Sequence, residues 1–304
     1  MASISDSRNE RHQANGQELV ERLKQRIPAD GYLEPVPGVL LGRASNPGEK
    51  LYGVTRPSFC IVAQGAKEVY LGESVYTYDA HRCLVVTAEL PIVGRIVTAT
   101  PAMPYLSLLV EIDPAMVSSV MIEAGNHPPT TPTPKVIGVS ALDNDLLDAT
   151  LRLVRLLESP ADFAVLGSLA RREIIYRLLQ GGQADRMRHL PLMGAQAGRI
   201  AQAVHRLKKD FDQPLSMEAV ARDLGMSSSA FHRHFKAVTD MSPLQFQKQM
   251  RLQEARRLML TGAFDAAGVG YKVGYDDPSH FSRDYKKQFG EPPLRDAQKR
   301  KAGT

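Results

Sequence analysis

Two stretches of the sequence carry the same polar and basic side chains at the spacing of one helix face. Residues 224–236 and 273–290 repeat one pattern, in which Phe231 and Phe281 hold equivalent places. Hydroxyl, imidazole, guanidinium and ammonium groups fall between the apolar positions, and such groups donate hydrogen bonds to base edges and phosphate oxygens. They are Ser228, Ser229, His232, Arg233 and Lys236 in the first stretch and Ser279, His280, Arg283, Lys286 and Lys287 in the second. The pattern indicates a surface that binds nucleic acid.

A helix-turn-helix would position the first set. Residues 215–223 predict a short helix, and Gly225 supplies the turn because a positive φ costs little only for glycine. Ser227 can then cap a second helix through its hydroxyl. Along that helix Phe231 and Phe235 recur at i and i+4, so they face a core and leave the polar set outside. We expect this second helix to lie in the major groove.

The second copy uses different residues for the same purpose. Asp277 can cap its second helix, and Pro278 suits the first helical position, where an N–H would have no partner. Gly290 ends the helix. Between the two copies, residues 242–261 are amphipathic and predict one linker helix, which would fix the separation of the two units.

Two helix-turn-helix units, joined by a linker helix and closed by an F-G-x-x-P motif, resemble the DNA-binding domain of the AraC/XylS family of bacterial transcription regulators. The residues that carry the resemblance are Ala221, Leu224, Gly225, Ser227, Phe231, Arg233, Phe235, Lys236, Pro243, Arg251, Ala255, Leu258, Leu260, Val273, Gly274, Tyr275, Phe281, Arg283, Tyr285, Lys286, Phe289, Gly290 and Pro293. The resemblance implies a sequence-specific transcription regulator, more commonly an activator, with double-stranded promoter DNA and RNA polymerase as partners. The chain departs from the family at Gly268 and Gly270, and each glycine costs roughly 1 kcal/mol relative to alanine in a helix. The second unit is therefore expected to be the looser one.

The resemblance also implies roles for the exposed side chains. The expected base readers are Ser229, His232, Arg233, Ser279, His280 and Arg283. Arginine is best suited, since its planar fork can engage O6 and N7 of guanine together, for roughly 1–3 kcal/mol of discrimination; either arginine could instead hold a phosphate. Lys236, Lys286 and Lys287 would contact phosphates, which sets position and salt dependence.

Charge is distributed unevenly along the chain. The 304 residues carry a net charge of +5. From Ala195 onward 19 Lys and Arg stand against 12 Asp and Glu, a net charge of +7, so the preceding residues, with 19 against 21, carry −2. A basic carboxyl-terminal part suits phosphate contacts, although charge alone would equally suit a solvated surface.

Cysteine content and hydropathy predict the compartment. Cys60 and Cys83 are too few for a disulfide framework or a zinc ribbon. The amino terminus is polar and lacks the apolar core of a signal peptide, and no run approaches the roughly 18–20 apolar residues of a membrane span. We expect a soluble cytoplasmic protein that does not contact membranes.

The amino-terminal part has the pattern of a β-protein. From Tyr32 onward, short apolar runs alternate with Gly, Pro and Asp, which predicts short strands in a small sandwich or barrel. Residues 57–125 resemble the amino-terminal regulatory domain of one AraC-family subgroup, which is cupin-like. The predicted fold class is therefore α+β: a cupin-like small β-barrel or sandwich with flanking helices, then an all-α domain with two helix-turn-helix units joined by a linker helix.

A small-molecule effector would bind inside this barrel. The predicted inward residues are Phe59, Cys60, Ile61, Tyr70, Tyr76, Tyr78 and Cys83. They could enclose an apolar or phenolic molecule, or they could simply fill the barrel. Cys60 and Cys83 could also sense an electrophile or an oxidant, although buried thiols in apolar strands are usually inert.

Catalysis is not expected. A cupin enzyme holds a metal through two or three histidines and a carboxylate. His81 is the only histidine of the strand region, and no H-x-H pair occurs there. We predict no enzyme, no metal and no cofactor.

The sequence divides into five predicted parts. They are a disordered tail (1–14), the cupin-like regulatory domain (15–135), a helical pair (136–180), a Gly-rich linker (181–198) and the double helix-turn-helix domain (199–304). The apolar stripes at 141–158 and 161–180 could pair two subunits into a homodimer, as in the resembling family, or pack on the chain's own barrel. The linker is the expected hinge through which an effector would change DNA binding.

Three other classes of protein stay open at this point. A ligand-independent regulator would have the same DNA-binding pattern without an effector. A cupin-type enzyme with an appended DNA domain would need the metal cluster described above. An architectural protein would bind DNA with little sequence preference, against which two matched units argue.

Overall fold

The computed structural model describes residues 4–48, 50–72, 74–89, 91–125, 134–191, 198–262 and 264–302. The chain forms two compact units, Met1–Gly198 and Arg199–Thr304. The first combines sheets with helices and the second is helical, so the predicted α+β class is confirmed. Among the described residues, no helix is both long and apolar enough to cross a membrane.

Short antiparallel strands build the first unit. Within its described residues they are β1 (Gly31–Val36), β2 (Val39–Ala44), β3 (Leu51–Val54), β4 (Ser58–Gln64), β5 (Ala66–Leu71), β6 (Ser74–Asp79), β7 (Arg82–Val86), β8 (Pro91–Thr98), β9 (Tyr105–Glu111) and β10 (Ile137–Ala141). One sheet has the order β1-β2-β9-β4-β7-β10, and the other has the order β3-β8-β5-β6. Side chains at i and i+2 share one face of a strand, so each sheet turns one set of residues toward the interior of the sandwich.

The central strand β4 is covered on both faces. Phe59 and Ile61 are fully buried and Cys60 is 9 % exposed, because α1 packs on β4 and β9. A continuous apolar run is typical of a strand without a solvated face. Phe59 and Ile61 point to one side of the sheet, and Cys60 points to the other.

Five helices lie in the described part of the first unit. They are α1 (Ile4–Arg26), α2 (Pro114–Glu123), α3 (Asn144–Leu156), α4 (Pro160–Gln180) and α5 (Ala184–His189). Asp143 and Ser159 start α3 and α4 by accepting hydrogen bonds from backbone N–H groups. The two helices pack against each other, α1 packs on α3, and α2 packs on α4.

The expected disordered tail at 1–14 is wrong for its described part, because α1 begins at Ile4. The Arg11 guanidinium lies 2.7 Å from an Asp148 carboxylate oxygen on α3. The polar composition of the segment is typical of a disordered chain. Its partner lies more than a hundred residues away, so the local sequence could not reveal the contact.

The predicted linker at 181–198 also differs from the structure. Its described part contains α5, with Met187 fully buried, and the Gln183 side chain donates to Ser140 Oγ at 2.9 Å. These contacts hold α5 within the first unit despite its glycine-rich start. Residues 192–197 of the predicted linker lie outside the described residues.

The second unit contains the predicted pair of helix-turn-helix motifs. Its helices are α6 (Gly198–Lys209), α7 (Met217–Asp223), α8 (Ser228–Thr239), α9 (Pro243–Thr261), α10 (Ala266–Lys272), α11 (Pro278–Phe289) and α12 (Pro293–Ala302). Ser227 caps α8 and Asp277 caps α11. Gly225 and Gly290 have φ angles of +64° and +85°. The predicted turn, helix end and linker helix are confirmed.

Candidate nucleic-acid interface

Helix α8 turns an aromatic face inward and a polar face outward. Phe231 and Phe235 are fully buried, with ring centroids 5.6 Å apart, and Phe235 meets Phe246 of α9 edge-on at 5.5 Å. On the other side Ser229, Arg233 and Lys236 are exposed, while Ser228 and His232 are half-buried. His234 is exposed as well; sequence reasoning missed it, although its place between Arg233 and Phe235 was a usable signal.

Helix α11 repeats this arrangement. Phe281 and Tyr285 are fully buried, and the polar face exposes Ser279, His280, Arg283, Lys286 and Lys287. The cap is charged: hydrogen bonds from the backbone N–H groups of Ser279 and His280 hold the pKa of Asp277 below its usual range. The structure therefore brings the second predicted set onto one surface, like the first.

The cations of both faces are free to meet phosphate. Within the described residues, Arg233, Lys236, Lys286 and Lys287 form no ion pair with a carboxylate. Arg283 donates through Nε to the backbone carbonyl of Ser279 at 3.3 Å. Exposed cations without acidic partners are suited to neutralising DNA phosphates, since they have no ion pair to break.

An acid lies at the edge of the α11 face. Asp284 is 12 % exposed and pairs with Lys248 of α9. It also accepts from the Tyr275 hydroxyl at 3.2 Å and lies 3.4 Å from His280 Nε2. Burial, and then the charge of Asp284, raises the pKa of Tyr275, so its phenol remains a donor. Asp284 therefore connects α11 to the linker helix α9.

Arg251 of α9 ties the two helix-turn-helix units to each other. Its Nε donates to the carbonyl of Phe211 at 2.6 Å and its Nη2 to that of Gln213 at 3.1 Å, both just before α7. Its Nη1 donates to the carbonyl of Gly274, in the turn of the second unit, at 2.7 Å. One guanidinium thus fixes backbone segments of both helix-turn-helix motifs.

Two glycines of the second helix-turn-helix motif allow neighbouring atoms to approach the backbone closely. Gly274 has a φ of +84°, and a Cβ there would lie 2.2 Å from the Asp212 carbonyl oxygen. Gly270 is buried, and a Cβ there would lie 3.1 Å from the Phe281 ring. Gly270 therefore has a packing role that its low helix propensity conceals. That the second helix-turn-helix motif is less tightly held than the first stays a prediction.

A cavity of about 370 Å³ lies between the two sheets of the first unit. Its apolar lining comprises Leu40, Val54, Val69, Leu84, Val86, Ile92 and Leu109. Its polar lining comprises Glu34, Thr55, Arg56, Ser58, Cys60, Lys67, Tyr78 and Glu111. The described residues contain no cluster of three or more His, Cys, Asp or Glu side chains that could hold a metal ion.

Of the predicted effector residues, only Cys60 and Tyr78 line this cavity. Phe59 and Ile61 alternate with Cys60 along β4, so they point to the helix-covered face instead. Cys83 points the same way as they do, with its Sγ 3.3 Å from the Ser140 hydroxyl. The prediction was wrong here because it placed adjacent strand residues on one face.

The remaining two predicted tyrosines lie outside the cavity. The Tyr70 hydroxyl donates to the Glu68 carboxylate, and the Lys50 ammonium sits 4.7 Å from the centre of its ring. Tyr76 lines a separate surface cleft with His81. Tyr70 lies opposite exposed Val75 on the outer face of the smaller sheet, whereas Tyr76 lies opposite buried Val69 and has a buried hydroxyl.

Sequence reasoning missed Lys67 of β5. It shares the inward register of Val69 and Leu71, which was the available signal. Burial lowers the pKa of Lys67, and it raises the pKa of the neighbouring Cys60 thiol to about 11. The cavity therefore disfavours charge on both groups.

Known proteins resemble both units. The model of the AraC-type transcriptional regulator N-terminus matches residues 35–186, and a helix-turn-helix domain model matches residues 220–299. The regulator ArgR of Pseudomonas aeruginosa is 24 % identical over 152 residues, which are 50 % of this chain and 46 % of ArgR. The activator RhaS of Salmonella schwarzengrund is 26 % identical over 155 residues, which are 50 % of this chain and 54 % of RhaS. The chain spans about half the length of these curated relatives.

Solved structures of Vibrio cholerae ToxT share the fold. ToxT with a bound unsaturated fatty acid is 11 % identical, with a TM-score of 0.54 over 86 % of this chain and 95 % of ToxT. ToxT bound to (E)-4-(8-methylnaphthalen-1-yl)but-3-enoic acid is 10 % identical, with a TM-score of 0.57 over 85 % and 97 %. Because the amino-terminal family model covers half of the chain and the helix-turn-helix model covers the second unit, the chain belongs to the AraC family of transcriptional regulators.

Proposed function

We propose that this chain is a sequence-specific DNA-binding regulator that activates transcription at promoters. The observation that carries the proposal is the matched pair α8 and α11, each with a buried aromatic face and an exposed basic face. Two such helices would enter adjacent major-groove segments about 34 Å apart. RNA polymerase is the implied protein partner, and the cytoplasm, where promoter DNA lies, is the place of action. Catalysis has no part in the proposal.

The exposed side chains divide into two roles. The base readers are Ser229, His232, Arg233, Ser279, His280 and Arg283, and Ser228 lies beside them at the start of α8. Lys236, Lys286 and Lys287 contact phosphates. Arg251 acts indirectly. Because it donates hydrogen bonds to backbone carbonyls of both helix-turn-helix motifs, it sets the spacing at which α8 and α11 meet DNA.

The first unit is the regulatory part. Its cavity has the volume and the mostly apolar lining of a small-molecule site, and ToxT, which shares the fold, is known with an unsaturated fatty acid bound. We infer that a small apolar effector occupies the cavity and biases DNA binding. Such coupling requires the effector to bind two states of the chain with different affinities.

A second copy of the chain covers the outer face of α4. Val165, Leu166 and Leu169 there are 70 %, 43 % and 59 % exposed, and Ile122 of the neighbouring α2 is 79 % exposed. Contiguous exposed apolar residues mark an interaction surface. A homodimer would present four recognition helices to one promoter.

A nuclease footprint of the whole chain, at stated salt, on DNA upstream of its own gene tests the proposal. We expect two protected major-groove segments one helical turn apart, repeated once by the second copy. Leu169→Glu should remove the repeat and keep the first pair. Diffuse protection that disappears with modest salt would mean that the helices bind phosphate without reading bases, which is the architectural alternative.

A further inference from the structure

Lys67 has unusual surroundings for a lysine. It lines the cavity between the sheets together with the Cys60 thiol, the Tyr78 phenol and apolar side chains. Among the described residues no carboxylate forms an ion pair with it, and the charged-group interaction that acts on it comes from Cys60. An ammonium removed from water without a carboxylate partner is disfavoured, so the pKa of Lys67 is lowered and more of its neutral amine is present than in an ordinary lysine.

The other charged groups of the cavity do not compensate Lys67. Glu111 pairs with Arg56 at 2.8 Å, and Glu34 accepts a hydrogen bond from the backbone N–H of Gly38 at 2.8 Å. Two carboxylates and one guanidinium leave the lining with a negative balance when Lys67 is neutral. An anionic ligand would be repelled by this balance, whereas an uncharged ligand would not.

A neutral amine that lines a cavity is a nucleophile. An ordinary lysine, with a pKa of about 10.4, is neutral in roughly one molecule in a thousand at pH 7.4. Burial lowers the pKa of Lys67 and so raises that fraction. Desolvated lysines of this kind form Schiff bases with carbonyl compounds. Cys60 is the poorer nucleophile, because burial raises the pKa of its thiol to about 11 and suppresses the thiolate.

We propose that Lys67 captures a small uncharged aldehyde reversibly as an imine, which makes such aldehydes the effector class. This inference rests on the proposed ligand-binding role of the first unit. The Nζ lone pair forms a bond to the carbonyl carbon, and a proton passes from nitrogen to oxygen to give a carbinolamine. The C–O bond then breaks, the hydroxyl leaves with a proton as water, and the C=N bond forms. The step needs no oxidant or reductant, and water reverses it.

Reductive trapping tests the proposal. The whole chain is incubated at pH 7.4 with an equimolar amount of butanal and sodium cyanoborohydride, then digested and mapped by mass spectrometry. One butyl group on Lys67 is expected, with exposed Lys50 unlabelled. Lys67→Met and Lys67→Arg should lose the label, whereas the matched Lys50→Arg variant should keep it. Thermal unfolding checks that each variant is folded, and the map of the unmutated chain is decisive even if a variant is not.

Three outcomes would overturn the proposal. The first is label spread over surface lysines, with Lys67 no richer than Lys50. The second is an adduct on Cys60 in place of Lys67. The third is thermal stabilisation by butanoate, lost in Lys67→Met and without any butanal adduct, which would make Lys67 a cation that binds carboxylates. Footprinting the same preparation separates the two claims. A chain that protects DNA but carries no butyl group on Lys67 contradicts imine formation and leaves the DNA-binding proposal standing.

Discussion

One of the equivalent positions at which α8 and α11 differ is occupied by His234 in α8 and by Asp284 in α11. His234 is exposed, so the whole outer face of α8 is neutral or basic. Asp284 is mostly buried and holds Lys248 and the Tyr275 hydroxyl. The same place in the repeat thus faces solvent in α8 and the protein interior in α11. The lesson is that one motif can leave a position exposed or use it for internal support.

The cores beneath the two helices differ in the same sense. Phe235 packs edge-on against Phe246 of the linker helix. Its counterpart Tyr285 donates its hydroxyl to Asp296 of α12, and Asp296 also accepts two hydrogen bonds from Arg256, each at 2.8 Å. At this position the core of the first helix-turn-helix is therefore aromatic, whereas the core of the second adds a buried charged network to its own aromatic packing.

The largest expected effect comes from breaking that network. Asp296→Ala removes the buried carboxylate that accepts two hydrogen bonds from Arg256 and one from Tyr285, which should lower the free energy of unfolding of the second helix-turn-helix by about 3–5 kcal/mol. Hydrogen exchange of the whole chain measures this as lost protection in α11 and α12. The matched control is Asp223→Ala, which removes an exposed pair with Arg206 and should cost at most about 1 kcal/mol. Similar losses in both variants would contradict the contrast between the two cores.

The turn glycines give the next largest difference. Gly225 and Gly274 both have positive φ angles, so alanine at either place costs about 1–2 kcal/mol. A Cβ at Gly225 meets nothing within 4 Å, whereas at Gly274 it would collide with the Asp212 carbonyl. Gly274→Ala should therefore cost about 1–3 kcal/mol more than Gly225→Ala. Thermal unfolding of both variants checks this, and equal costs would mean that the Asp212 segment moves freely.

These turns show which features the sequence could predict. Ser227, Asp277, Gly225 and Gly290 were predicted correctly because a cap or a turn depends on a few neighbouring residues. The two aromatic faces were equally local, since the period of a helix places Phe231 and Phe235 on one side. The prediction that residues 199–304 bind DNA followed from the same local caps, turns and helix faces.

Features that depend on distant contacts were not predictable. Residues 4–14 form a helix beside Asp148, and α5 is held by a bond to Ser140; neither partner is near in sequence. The prediction of the cavity lining failed for another reason. The register of β4 decides whether Phe59 or Cys60 faces inward, and a strand buried on both faces lacks the alternation of polar and apolar residues that would show this register. The place of Lys67 in the lining was missed as well.

Base reading should differ between the two helices as well. Within the described residues Arg233 forms no hydrogen bond, whereas Arg283 already donates to Ser279. Arg233→Ala should therefore cost about 1–3 kcal/mol of discrimination between specific and scrambled DNA, and Arg283→Ala should cost less. Competition binding with both DNAs measures the difference. A uniform loss on both DNAs would show that the arginine holds a phosphate.

The smallest effect concerns the lysines, and here the two helices should behave alike. Lys236 and Lys286 occupy equivalent exposed positions without acidic partners among the described residues. If each neutralises one phosphate, then Lys236→Ala and Lys286→Ala should each reduce the slope of log affinity against log salt by about 0.9. Affinity for specific and scrambled DNA should fall equally, because phosphate contacts carry no sequence information. If the slope changed for Lys236→Ala but not for Lys286→Ala, Lys286 would not contact a phosphate, and Asp284 would be keeping α11 away from the DNA backbone. The two helices would then differ in their contact with DNA as well as in their support by the protein.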